Sequence, residues 1–233
     1  MNTFQVIAHR GASAYVHENT LAAFEKAIEM KADMIELDVH KTADNVLAVF
    51  HDALIGGKAL STLTYKQLNE AANVQGFSIP TLADACAVAA GKIRVNIEIK
   101  TALGCEKPVI ETALRFLPKE DVMISSVFLP VLENCADMNS GIPLGLVIFE
   151  DEKRASFLTW CAPKRPYDRM IDFLSVPYVV LCENGTLSVP SSTKPMYIWT
   201  VNDGEIIRKL AQQDNVRGVF TDIPDVARAA LDR

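Results

Sequence analysis

The chain has 233 residues, 49% of them apolar and 22% charged, with a formal net charge of −6. That length suits one large domain or two small ones, able to bury a sizeable core without disulfides, and the acidic balance speaks against a nucleic-acid or anionic-membrane surface. The five cysteines are odd in number and nowhere spaced C-x-x-C, which removes zinc-site and thioredoxin-like readings and suits a reducing cytosol.

The first apolar run, Val6-Ile7-Ala8, predicts a strand over Gln5–Ala8 that stops at His9-Arg10-Gly11. No basic region with an apolar core precedes it, so no secretory signal is visible. A helix follows over Thr20–Met30, with Thr20 placed as its N-cap. Strand two, Met34–Val39, leads through Asp44-Asn45 into a hairpin partner, Leu47–His51. Residues Ala53–Pro80 form an insertion with one helix at Thr64–Ala72. Helix Leu82–Ala90 and strand Arg94–Ile99 come next, then helix Glu106–Leu117 and strand Val122–Ser125. Helix Leu129–Met138 precedes strands Leu144–Phe149 and Leu174–Leu181. Glu183–Lys194, with Gly185, Pro190 and a Ser-Ser-Thr cluster, reads as a loop or degenerate turn. Strand Met196–Val201, helix Glu205–Gln213, strand Gly218–Thr221 and helix Pro224–Leu231 close the chain, with Pro224 suited to a first helical turn.

Eight strands alternating with helices predict a closed (β/α)8 TIM barrel in a single domain, 1–233, with a small insertion between the second and third barrel strands. An open doubly wound sheet is the runner-up, but its G-x-G-x-x-G turn is absent. No apolar run approaches the roughly 18 residues of a membrane span. The expectation is a cytoplasmic protein without stable membrane anchoring and without a nucleic-acid partner.

Chemistry in such barrels sits at the carboxyl ends of the strands. His9 and Arg10, Glu36 and Asp38, Asn96, Glu98 and Lys100, Ser125-Ser126, Trp199, Thr200 and Asn202, and Thr221-Asp222 all fall there. Residues i and i+2 of a strand share a face, so Glu36 projects with Asp38, and Asn96 with Glu98 and Lys100. Three converging carboxylates repel and resist burial. A divalent cation, Mg2+ or Ca2+, relieves both problems; an ion-pair network with Arg10 and Lys100 is the alternative. Of the four histidines, His9 and His51 end apolar runs at the active face, and Asp52 is placed to orient His51. Imidazole can give and take protons in one cycle. His17 and His40 read as surface loop residues.

The set resembles the glycerophosphodiester phosphodiesterases. The matching pieces are HRG at 9–11, ENT at 18–20, ELDV at 36–39, FHD at 50–52, PTL at 80–82, NIEIK at 96–100, WTVN at 199–202 and TDIP at 221–224. Their order and spacing agree along nearly the whole chain. The resemblance implies a (β/α)8 barrel with an insertion after the FHD strand. It implies His9 and His51 as the general acid/base pair, one divalent cation (Mg2+ or Ca2+) held by Glu36, Asp38 and Glu98, and Arg10 and Lys100 on the phosphate. Trp199, Ser126 and Phe128 are expected in the substrate pocket. The implied reaction splits glycerophosphodiesters of the choline, ethanolamine or glycerol type into sn-glycerol 3-phosphate and an alcohol.

The chain departs from the family pattern in places. His17 stands where Pro usually precedes Glu-Asn-Thr, and Ala53–Lys58 lacks the usual Leu-x-Arg-Thr after FHD. Val127 separates Ser126 from Phe128, and the connection between strands six and seven is brief. None of these touches the acid/base or metal set. Two other readings remain at this stage. A phospholipase-type enzyme for lysophospholipids or phosphoinositides would need an exposed apolar rim, for which Ile55, Phe128 and Phe149 are candidates, though Phe149 reads more as core. A non-catalytic phosphate-binding module would be expected to have lost a histidine or a ligand, and none is missing.

Overall fold

The computed structural model describes residues 4–101, 104–149, 154–162, 169–183 and 186–232. Eight strands carry the fold: β1 Gln5–Ala8, β2 Met34–Lys41, β3 Arg94–Ile99, β4 Val122–Ser126, β5 Leu144–Val147, β6 Phe173–Pro177, β7 Met196–Trp199 and β8 Val216–Thr221. Each lies parallel to the next, and β8 pairs back onto β1 from Gln5↔Gly218 to Ala8↔Thr221. The ring is a closed (β/α)8 barrel, as expected. Among the described residues no helix is long and apolar enough to cross a membrane.

Several strand limits differ from those expected: β4 runs one residue further, to Ser126, and β6 and β8 begin at Phe173 and Val216. β2 runs on to Lys41, because Leu47–Val49 pairs antiparallel against Val39–Lys41; that partner stops two residues short of His51. β5 stops at Val147 rather than Phe149. β6 stops at Pro177, and Tyr178–Leu181 coil into a 3-10 turn instead of extending to Leu181; proline offers no N–H to continue a ladder. β7 ends at Trp199, although Val201 N–H still donates to Phe220 O at 2.9 Å.

The helices are α1 Leu21–Glu29, α2 Tyr65–Val74, α3 Leu82–Ala89, α4 Glu106–Phe116, α5 Leu129–Asp137, α6 Arg154–Cys161, α7 Gly204–Ala211 and α8 Pro224–Leu231; α2 belongs to the insertion and the others cover the outside of the barrel. Thr20 caps α1 by accepting from Ala23 N. Thr81 caps α3 reciprocally with Asp84, which gives the Pro-Thr-Leu segment a structural role. Sequence reasoning missed α6. Phe157 and Cys161 are buried there while Leu158 is exposed, so its apolar residues form no single stripe.

The insertion has its own small core of Ala48, Ile55, Leu60, Leu63, Leu68, Ala72 and Ile79. Ile55 is therefore buried and is not part of an exposed rim. Inside the barrel, Ile7, Met34, Met123, Phe173 and Phe220 pack with Tyr197 and Trp199. Gly145 makes room there: a Cβ on it would lie 2.1 Å from the Phe173 ring. Burial pushes the thiols of Cys86 and Cys135 up to about 12 and that of Cys105 up to about 11, so they stay protonated and unreactive.

Candidate active site

Alternation along β2 carries Met34, Glu36, Asp38 and His40 on one face, and β3 continues the pattern with Asn96, Glu98 and then Lys100. Met34 packs in the barrel's apolar floor, while the polar members line a cleft of about 340 Å3 at the carboxyl end. His9, Arg10, His51, Trp199 and Phe128 line the same cleft.

Register fixes the carboxylates. Asp38 pairs with Glu98 and Glu36 with Asn96 across β2 and β3. One oxygen from each of Glu36, Asp38 and Glu98 lies within 4.8 Å of the others, and all three residues are buried. Lys100 Nζ stands 2.7 Å from Glu98 Oε1 and 3.2 Å from Asp38 Oδ1. Arg10 Nε is 3.4 Å from Asp38 Oδ2. The ion-pair network weighed from the sequence is therefore present, but it does not neutralise the trio. Burial would raise Asp38, yet Lys100 and Arg10 outweigh it and hold the carboxyl at about 2. Burial, then repulsion from Asp38 and Glu98, pushes Glu36 well above the usual carboxylate range. Three hard oxygen donors, one of them driven toward neutrality, fit a divalent cation of the Mg2+ or Ca2+ kind.

The loops after β1 build the rest of this wall. Arg10 takes left-handed backbone (φ 56°), and its N–H donates to Glu36 Oε2 at 2.8 Å. Gly11 follows at φ 84°, where a Cβ would come within 2.8 Å of Ala23 in α1, so both its conformation and its close approach require glycine. Glu18 grips Arg10 Nη1 through both oxygens, at 2.8 and 3.0 Å. Asn19 Nδ2 donates to Asp38 Oδ2 at 2.8 Å, and Asp38 N donates back to Asn19 Oδ1 at 3.3 Å. Glu18 and Asn19 belong to the quoted Glu-Asn-Thr motif, but their roles were not foreseen; the motif was the available signal.

Each candidate acid/base histidine is held by a carboxylate. His9 Nδ1 lies 2.8 Å from Asp222 Oδ1, and His51 Nδ1 lies 2.8 Å from Asp52 Oδ1. A carboxylate only accepts, so Nδ1 carries the proton and Nε2 is the basic nitrogen in both neutral rings. Asp222 also accepts from Ser13 Oγ at 2.8 Å and Asn202 Nδ2 at 2.6 Å. Burial would raise its carboxyl, but the bonds from His9, Asn202 and Ser13 dominate and hold it at about 2. Sequence reasoning left Asp222 unpaired because its partner lies 213 residues away.

Two histidine readings separate here. His17 is exposed and stacks on Phe77 with ring centroids 3.8 Å apart. His40 is no surface residue: it is buried, lines the cleft, and its Nε2 lies 3.0 Å from His51 O. Burial lowers its pKa. Ser126 is also elsewhere than expected. Its Oγ is fully buried, donates to Ile99 O at 2.8 Å and accepts from Phe128 N at 3.1 Å, and the hydroxyl lining the cleft is that of Ser175. Phe149 is 53% exposed on the cleft wall rather than packed in the core.

Residues 9–226 match the model of the glycerophosphoryl diester phosphodiesterase family. The chain belongs to that family. It is 30% identical to the glycerophosphodiester phosphodiesterase of Caldanaerobacter subterraneus subsp. tengcongensis, over 94% of each chain. Among solved structures, a glycerophosphodiester phosphodiesterase from Thermotoga maritima is 27% identical with a TM-score of 0.73, covering 98% of this chain and 99% of that one. A phosphodiesterase from Oleispira antarctica, solved in complex with the product sn-glycerol-3-phosphate, shares the fold at 23% identity and a TM-score of 0.78, over 98% and 97% of the two chains.

Proposed function

We propose that this member of the glycerophosphodiester phosphodiesterase family is a metal-dependent enzyme. It would hydrolyse glycerophosphocholine-like diesters to sn-glycerol 3-phosphate and an alcohol, with His9 and His51 as the acid/base pair. The observation that carries this reading is one cleft lined by two carboxylate-bound histidines, three buried carboxylates and two cations. Glu36, Asp38 and Glu98 would hold the divalent cation, whose chemistry is to draw charge from the non-bridging phosphoryl oxygens. Arg10 and Lys100 bind the phosphoryl group and stabilise the charge that develops on it. One imidazole Nε2 takes the proton of the nucleophile, either water or the glycerol 2-hydroxyl, whose cyclic phosphate water then opens; as the new P–O bond forms, the bond to the alcohol breaks and the other ring, protonated, gives its proton to the departing alkoxide. Trp199 and Phe128 bound the substrate's organic part; Ser126 is left out of this role. The proposed setting is the cytosol, in keeping with cysteines that form no disulfide.

Glycerophosphocholine turnover tests the proposal. EDTA should abolish it and Mg2+ or Ca2+ should restore it. His9→Ala or His51→Ala should lower it by roughly 100- to 10,000-fold, the usual worth of a positioned acid or base. Undiminished turnover in both variants would sink the acid/base assignment.

A second reading has one observation in its favour. Val127, Phe128, Val147, Ile148 and Phe149 give the cleft a continuous apolar lining, which suits the acyl chain of a lysophospholipid. Comparing lysophosphatidylcholine with glycerophosphocholine separates the two substrate classes.

A further inference from the structure

We infer that His40 is a positioning residue for His51: it pins the main chain of the second acid/base histidine through a hydrogen bond from its Nε2–H to the His51 carbonyl oxygen, 3.0 Å away. The inference rests on the reading of His51 as an acid/base group.

His51 needs such support. The hairpin ladder ends at Val39↔Val49. Phe50 N–H donates to Asp38 O at 3.0 Å, and His51 then follows on a bend. Its ring is tied through Nδ1 to Asp52, whose side chain is 68% exposed, so water competes for that bond. His40 has the opposite character. It sits on β2 where that strand is paired along both edges, with Ala48 opposite His40 and Ile99 beside Val39. Its ring is buried. A carbonyl oxygen only accepts, so the bond fixes the proton on Nε2 of His40. The i, i+2 step from Asp38 puts His40 on the strand face that carries Glu36 and Asp38. The bond therefore couples the His51 main chain to the element that holds two of the three carboxylates. Misplacing a reacting group by about 1 Å can cost on the order of 100-fold in rate.

The test combines kinetics on glycerophosphocholine with 15N NMR of the imidazoles, in wild type, His51→Ala, His40→Ala, His40→Leu and His40→Gln. Thermal melts confirm that each variant is folded. We expect His40→Ala and His40→Leu to lose roughly 10- to 100-fold in kcat with KM unchanged. His40→Gln, whose side-chain amide can reach the same carbonyl, should recover most of it. Wild-type kcat in the Ala and Leu variants overturns the inference, as does a Gln variant no better than Ala. NMR separates this from a failure of the activity itself. If the wild type does not hydrolyse phosphodiesters, or His51→Ala is fully active, the acid/base reading of His51 fails. The anchoring is read independently. An Nε2–H tautomer for His40, with a His51 ring signal that shifts in His40→Leu, supports it. An Nδ1–H tautomer, or an unmoved His51 signal, overturns it.

Discussion

Asp222 accepts from three side chains on two loops: His9 and Ser13 after β1, and Asn202 after β7. It thereby fixes which nitrogen of His9 is left for the proposed acid/base role. Asp222→Asn is expected to lower kcat by roughly 100-fold or more, because an amide can present N–H to Nδ1 and favour the wrong tautomer. Steady-state kinetics on glycerophosphocholine checks it. The same residue predicts a pH effect on stability. Its carboxyl is held at about 2 in the folded protein, below the unfolded value of about 3.9. The folded state therefore binds its proton less readily than the unfolded chain. Its stabilising contribution is fully present above the unfolded pKa and is lost as pH falls toward 2. Thermal melts between pH 6 and pH 2 should show a steeper acid loss in wild type than in Asp222→Asn; parallel curves would contradict the assignment.

The strands and caps set the placement of these groups. Gly145 on β5 faces Phe173 on β6, with no room for a methyl between them. Gly145→Ala should destabilise the barrel by about 1–3 kcal/mol, the usual range for forcing an extra carbon into a packed interior. Urea denaturation measures it, and an unchanged midpoint would refute the packing argument. At α3, Thr81→Ala removes a reciprocal cap and should cost about 1 kcal/mol without touching the cleft. Its kcat and KM should therefore match wild type while its melting temperature falls.

At the scale of the molecule, the proposed cation site at the trio of carboxylates would tie stability to a ligand. Glu36 and Asp38 come from one strand and Glu98 from its neighbour, so filling their common site braces two barrel staves at once. A ligand that binds the folded state alone stabilises it by mass action, by about 2.7 kcal/mol at a hundredfold excess over Kd. Mg2+ or Ca2+ should raise the melting temperature of the EDTA-treated protein, and Glu36→Gln should blunt the rise. A melting temperature indifferent to both cations would count against a metal at this site.

Much of this protein was legible in its sequence. Strand–helix alternation carried the barrel, since parallel strands buried on both sides must be apolar runs separated by amphipathic helices. The i, i+2 spacing carried Glu36 with Asp38 and Glu98 with Lys100, because strand geometry is local. What sequence could not supply were contacts made by closure. Asp222 meets His9 only when β8 closes onto β1, and His40 reaches His51 only across the hairpin fold. Ser126 pointed away from the cleft because β4 runs through it in unbroken alternation, with Ser125 on the opposite face bonded to Asn96. The local pattern thus determined which residues share a strand face. The tertiary ring alone decided which faces meet, because that depends on pairings between residues far apart in the chain.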